Sequence, residues 1–248
     1  AVRAEASIYW RYNPQLTGFM KVRAWTDWAN KVDDAYPNNL DTQAGNRGMG
    51  LFNLEKSGDN WMVDIPQVYI DYRPGPFWIR VGKQQIAWAE ALLLQTTDVI
   101  DGLDLRRHFF IDVLAEETAD ERIGNDGIRG GISLGKTGWE LEYFFTAFHP
   151  SIFSETCSPY SSFPCASRSG PIPRLRDRDA VRDARDKWNY GGRLHGNIGE
   201  VEAWVGYVSR PNTTGLFIPG NATGTELTRR FPRERIAMWG FNYLYMSE

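Results

Sequence analysis

Histidine and cysteine are scarce in this chain, three and two residues of 248. His108, His149 and His195 stand far apart with no ligand spacing among them, so no metal centre is expected. A Gly-x-Ser-x-Gly elbow, a phosphate loop and a dinucleotide fingerprint are all absent, which removes the common signatures of hydrolases and nucleotide enzymes. No catalytic residue and no cofactor is expected, and the chain does not read as an enzyme. Charge of one sign is missing too. The 28 Lys and Arg stand against 31 Asp and Glu, and a net charge of −3 offers no electrostatic hold on nucleic acid. No apolar run approaches the roughly 18 residues that a membrane helix needs. That excludes a helical span and leaves a β-barrel open, because in a barrel only alternate residues face lipid.

Aromatic residues are plentiful, with 10 Trp and 11 Tyr. Such amphipathic rings suit membrane interfaces, or stacking on sugars. Segments that alternate between apolar and polar residues run along the chain. Ile8, Trp10 and Tyr12 oppose Ser7, Tyr9 and Arg11, and Met20, Val22 and Ala24 oppose Lys21, Arg23 and Asp27. Val68, Ile70 and Tyr72 oppose Gln67, Tyr69 and Asp71; after Arg73-Pro74-Gly75-Pro76, Phe77, Ile79 and Val81 oppose Trp78, Arg80 and Gln84. Further segments follow around Ile128 to Leu134, Trp139 to Thr146, Trp188 to His195 and Val201 to Tyr207. In the last, Ala237, Trp239, Phe241 and Tyr243 alternate with Met238, Gly240 and Asn242, and its inward face is ambiguous.

The links between these segments alternate between a few residues and dozens. Arg73 to Pro76, Gly135 to Gly138 and Gly196 to Gly199 are short; Ala29 to Trp61, Gln85 to Asp126, Pro150 to Asp186 and Arg210 to Glu234 are long. A transmembrane barrel has this asymmetry, with tight turns on one side and long loops on the other. The expected fold is therefore all-β, an antiparallel meander forming part or all of a transmembrane β-barrel. Residues 1–248 make a single β-barrel domain. About nine strands, an odd number with bare edges, read as an internal portion of a longer barrel.

The polar sides of the segments would line the interior: Lys21, Arg23, Asp71, Arg80, Gln84, Arg129, Glu140, Glu142, Arg193 and Glu202. Rings of one sign select ions, and this mixture fits instead a broad polar channel or a lumen held shut by internal ion pairs. Glu140 and Glu142, about 7 Å apart on one strand, have a spacing that glycosidases use. Paired carboxylates are nonetheless common on wet strand faces. The link after Gln84 carries Trp88, Glu90, Asp98, Asp101, Asp104, Arg106 and Arg107, which would fold inward and set a constriction. Asp98, Asp101 and Asp104 could instead converge on Ca²⁺ from a helical turn, although the spacing is not that of an EF-hand. The bland reading of the same residues is capping and ion pairing in a packed loop. Cys157 and Cys165 share one Ser- and Pro-rich loop and fit a local disulfide in an oxidising compartment. The mixed-sign run from Arg174 to Lys187 fits a solvated face, or a bridge to lipopolysaccharide phosphates.

The stretch Val81-Gly82-Lys83-Gln84-Gln85-Ile86-Ala87-Trp88-Ala89-Glu90, followed by Asp98-Val99 and Asp104-Leu105-Arg106, resembles a family of large outer-membrane proteins known as domain of unknown function 1302. Gly82, Gln84, Trp88, Glu90, Asp98, Val99, Asp104, Leu105 and Arg106 match its motifs; Ala89 replaces a glycine, and Asp101-Gly102 an asparagine-proline step. The matching core covers roughly residues 65–112. The resemblance implies a porin-like barrel in the outer membrane of a Gram-negative bacterium, passing small molecules of hydrophobic or lipid-like character. The partners expected on this reading are outer-membrane lipid and lipopolysaccharide, a small-molecule cargo and a periplasmic protein. The rival readings are a secreted β-sandwich that binds carbohydrate and an outer-membrane barrel hydrolase.

Overall fold

The computed structural model describes residues 2–26, 54–57, 61–88, 100–103, 122–151, 174–175, 184 and 186–243. Nine long strands form one antiparallel sheet: β1 (Val2–Asn13), β2 (Leu16–Thr26), β3 (Trp61–Tyr72), β4 (Phe77–Gln84), β5 (Asn125–Ser133), β6 (Glu140–Ala147), β7 (Trp188–Ile198), β8 (Val201–Pro211) and β9 (Arg233–Tyr243). Each strand pairs with the next in sequence, so the sheet is an all-β meander. Among the described residues, one turn of 3-10 helix at Gly135–Thr137 is the only helical element. No helix among them is long and apolar enough to cross a membrane. The sheet is open: β1 and β9 are its two edges, and both run from the long-link end towards the tight-turn end.

Turn chemistry fixes the tight end. Asn13 Oδ1 accepts from the backbone N–H groups of Gln15 and Leu16, both at 2.8 Å, which closes the first hairpin. Gly75 and Gly199 adopt φ of 69° and 64° in the second and fourth turns, a region that side-chain-bearing residues enter at a cost. All four short links lie at this end, because successive strands in the meander are antiparallel. The four long links lie at the other.

β3 begins at Trp61, six residues before the clean alternation that starts at Gln67. Lys21 pairs with Gln67 but Arg23 pairs with Asp64, so two residues, Ile65 and Pro66, oppose Val22 alone. This bulge absorbs a proline, which has no N–H for the ladder. It also resets the alternation, so that Asp64 shares a face with Gln67 while Trp61 and Val63 are exposed.

The two faces of the sheet are inverted relative to a soluble protein. In β6, Leu141, Tyr143 and Phe145 are 45 %, 48 % and 47 % exposed, whereas Glu142 and Thr146 are 1 % and 0 %. The same side of neighbouring strands exposes Ile70, Val81, Ile128, Tyr190, Val205 and Tyr207. The ambiguous last strand is resolved. Trp239, Phe241 and Tyr243 are exposed, while Met238 packs against a buried cluster and Trp204 lies against Gly240 on the other face.

At the long-link end the connections lock to one another. A three-stranded sheet of Arg174–Leu175, Glu226–Arg230 and Leu216–Pro219 sits there. Ser151 N donates to Thr213 O at 2.8 Å, Arg229 Nη1 to Ser151 O at 2.8 Å, and Leu103 N to Ser151 Oγ at 3.0 Å. Phe148, Ala184 and Phe231 form a small apolar core beneath them.

Candidate functional site

All ten residues expected to line the interior lie on the polar face. There they pair across strands. Arg23 grips Asp64 with two bonds, at 3.0 and 2.6 Å, and Arg80 grips Asp71 at 2.6 and 2.8 Å. Both are the fork-to-carboxylate geometry that the guanidinium favours. Lys21 meets Glu5 at 3.0 Å, and Asn242 donates to Glu202 at 3.2 Å. Glu140 accepts from Trp78 Nε1 at 2.7 Å, and His195 Nε2 lies 3.9 Å from it.

Glu142 is the centre of the arrangement. Its Oε1 accepts from Arg129 Nε and from Trp88 Nε1, the latter at 2.8 Å, and its Oε2 accepts from Arg193 Nε at 2.8 Å. Three strands and the segment after β4 thus meet on one carboxylate. Arg193 Nη1 donates in turn to Trp88 O at 2.7 Å, and its guanidinium stands 5.5 Å from the Trp88 ring. The Trp88 ring is edge-on to Phe144, and Ile86, Trp88 and Ile100 pack with Phe144 and Val208. The segment after β4 therefore folds back over the polar face. Asp101 pins it there, accepting from Ile86 N at 2.9 Å and from Asn125 Nδ2. Trp88 and Asp101 were expected at this place; Glu90, Asp98, Asp104, Arg106 and Arg107 lie outside the described residues.

Gln84, with its head directed at Gly127 O at 3.4 Å, stands beside Asn125 and Asn189 in a buried polar layer at the long-link end. Asn189 Nδ2 is shared among Asn125 Oδ1, Thr146 Oγ1 and Ala147 O at 3.4 to 3.5 Å. His149 Nε2 meets Asp126 Oδ2 at 2.9 Å, both fully covered. Sequence reasoning did not link these two, which are 23 residues apart and belong to different elements. Among the described residues no group of His, Cys, Asp and Glu is arranged to hold a metal.

The remaining expectations fall as follows. In the mixed-sign run, Lys187 Nζ turns inward to Phe231 O at 2.8 Å, and the backbone of Arg174–Leu175 pairs in the small sheet. Asp27, Cys157 and Cys165 lie outside the described residues. One feature was missed: a row of rings across the polar face. Tyr9 and Phe19 are 4.7 Å apart, Phe19 and Tyr69 5.2 Å, and the Arg80 guanidinium lies 3.8 Å over Tyr69. The signal was present, since Tyr9 and Tyr69 stand on the polar side of their segments.

Near the tight turns the polar face hollows into a pocket of about 300 Å³ between β4, β5 and β6, lined by Arg73, Trp78, Arg80, Arg129, Ser133 and Glu140 among others. Trp78 lies flat against the sheet because Gly131 beneath it has no side chain; a Cβ there would meet Trp78 Nε1 at 2.5 Å.

A family described as proteins of unknown function, DUF1302, matches residues 1–246. The chain belongs to this family. No curated protein and no solved structure matches the chain. The DUF1302 match extends the likeness well beyond the stretch around Gly82 to Arg106, to every strand of the sheet.

Proposed function

We propose that this sheet is part of a transmembrane β-barrel in a bacterial outer membrane. In that arrangement its polar face lines a passage for small molecules, narrowed by the segment that carries Trp88. The observation that carries this reading is the inverted sheet: Leu141, Tyr143 and Phe145 outward and exposed, Glu142 and Thr146 inward and covered. In water, fully burying such an apolar chain is worth roughly 1.5–3 kcal/mol, and these half-exposed chains forgo about half of that. Hydrocarbon removes that penalty without a second protein layer. The strands fit the task. Six of the nine run to 11 or 12 residues, enough to cross a bilayer at a tilt, for which about 9–11 suffice. The separation of short and long links between the two ends supports the same reading.

The secreted sandwich needs a second layer over the apolar face. Among the described residues the rings on that face remain exposed. Among the described residues cations and anions are interspersed across the polar face with no ring of one sign, which favours a passage of weak charge selectivity. Cargo of hydrophobic or lipid-like character and a periplasmic partner remain part of this proposal.

Migration of the full chain on a detergent gel, with and without boiling, tests the barrel. A shift on boiling is expected; a single unshifted band, with extraction into buffer free of detergent, would sink it. Conductance steps in a planar bilayer are the expected sign of passage.

A further inference from the structure

The pocket at the tight-turn end has the makings of a binding site for a particular chemistry. Arg80 spends Nε and Nη2 on Asp71, and Arg129 spends only Nε on Glu142. Among the described residues the other nitrogens of both guanidiniums make no hydrogen bond, and both side chains line the pocket. Arg73 is held more loosely still, with Nη2 at 3.8 Å from Asp71 and a largely exposed side chain. Glu142 is shared between Arg129 and Arg193. The four guanidiniums of Arg73, Arg80, Arg129 and Arg193 therefore face three carboxylates, those of Asp71, Glu140 and Glu142. One positive charge is left over. Beside it stands Trp78, an indole whose N–H is already occupied by Glu140 and whose ring lies 5.8 and 5.5 Å from the Arg73 and Arg129 guanidiniums, so that carbon surface adjoins the cations. Arg80 also caps the row of rings that leads away through Tyr69.

We infer that this pocket binds an amphipathic monocarboxylate, its head on the free nitrogens of Arg80 and Arg129 and its carbon body on Trp78. A guanidinium fork matches a carboxylate in plane and spacing. The single surplus charge matches a monoanion better than a dianion. The indole supplies contact that a bare inorganic anion does not use. As a site for cargo this rests on the passage reading given above; as a binding site it does not.

Calorimetric titration of the full chain in nonionic detergent tests it, with hexanoate, hexanamide, acetate and inorganic phosphate as probes. Saturable hexanoate binding at one site per chain is expected, with hexanamide silent and with acetate and phosphate at least about tenfold weaker. Arg80→Gln should weaken hexanoate about tenfold or more. Trp78→Leu should weaken hexanoate and leave acetate unchanged. Arg73→Gln, at an exposed head that holds no element in place, should weaken hexanoate and keeps the test decisive if Arg80→Gln fails to fold. Absence of saturable hexanoate binding would overturn the site. So would phosphate binding as tightly as hexanoate, or hexanoate affinity indifferent to Arg73 and Trp78. Bilayer conductance separates the two proposals: hexanoate binding without conductance keeps the site and removes the passage, and conductance without hexanoate binding does the reverse.

Discussion

Glu142 joins three strands and a connecting segment through three donors, Arg129 Nε, Trp88 Nε1 and Arg193 Nε. Removing the carboxylate leaves Arg129 and Arg193 facing each other with no anion between them. Breaking such a covered pair costs about 3–5 kcal/mol, because the surviving charges lose their partner. Glu142→Ala is expected to lower stability by that order, measured by urea-dependent loss of the gel shift. Trp88→Ala leaves the carboxylate and both arginines in place but removes the ring that covers them. It is expected to raise single-channel conductance, and unchanged conductance would show that this segment does not set the constriction. The polar side of each strand was legible in the sequence, since alternation alone assigns Glu142, Arg129 and Arg193 to one face. Their convergence was not. It depends on register between β5, β6 and β7, which lie up to 64 residues apart and are aligned only in the folded sheet.

For a single strand, the decisive question is what its apolar side meets. Tyr143 sits mid-way along β6 on the exposed side, against Gly130 of β5. On the surface of a soluble protein, Tyr143→Arg would change stability by about 0.5 kcal/mol at most. On the lipid face of a barrel it would cost about 2–4 kcal/mol near the midplane. Folding into liposomes followed by urea titration distinguishes these outcomes, and the larger value is expected. Strand identity was largely readable, because period-2 alternation is a local property. β3 is the exception. Its alternation breaks at Ile65 and Pro66, and a proline within a run argues against a strand when read locally. The bulge that accommodates it is set by the partner, Val22 of β2, which no pattern within residues 61–72 reveals. The ambiguity of β9 has a similar origin. Its two sides differ little in polarity, and Met238 against the buried cluster, Trp204 against Gly240 and Asn242 against Glu202 decide which is inward.

At the scale of the molecule, the two ends differ in kind: four tight turns at one, and interlocked connections with their own small sheet at the other. In a bacterial outer membrane the long connections are expected outside the cell and the turns in the periplasm. In a background of Cys157→Ser and Cys165→Ser, Ala222→Cys should react with a membrane-impermeant maleimide on intact cells, and Lys136→Cys only after lysis. Equal labelling of both on intact cells would contradict the proposed placement. The sidedness of the links was legible from their lengths. The interlocking was not, because Ser151 belongs to the connection after β6 while Thr213 and Arg229 belong to the one after β8, and they meet only once the meander has formed.

That both border strands point the same way has a geometric sequel. If the nine described strands are an arc of a ring closed by antiparallel pairing alone, the total is even, and the strands that complete it are odd in number and begin and end in the opposite sense. A second copy inserted in the same orientation cannot do so, since each of its borders would meet ours head alongside head. Completion by an identical subunit in the same orientation would therefore demand two parallel seams, and a wholly antiparallel ring built on this arc with one orientation of the subunits needs unlike strands to close it.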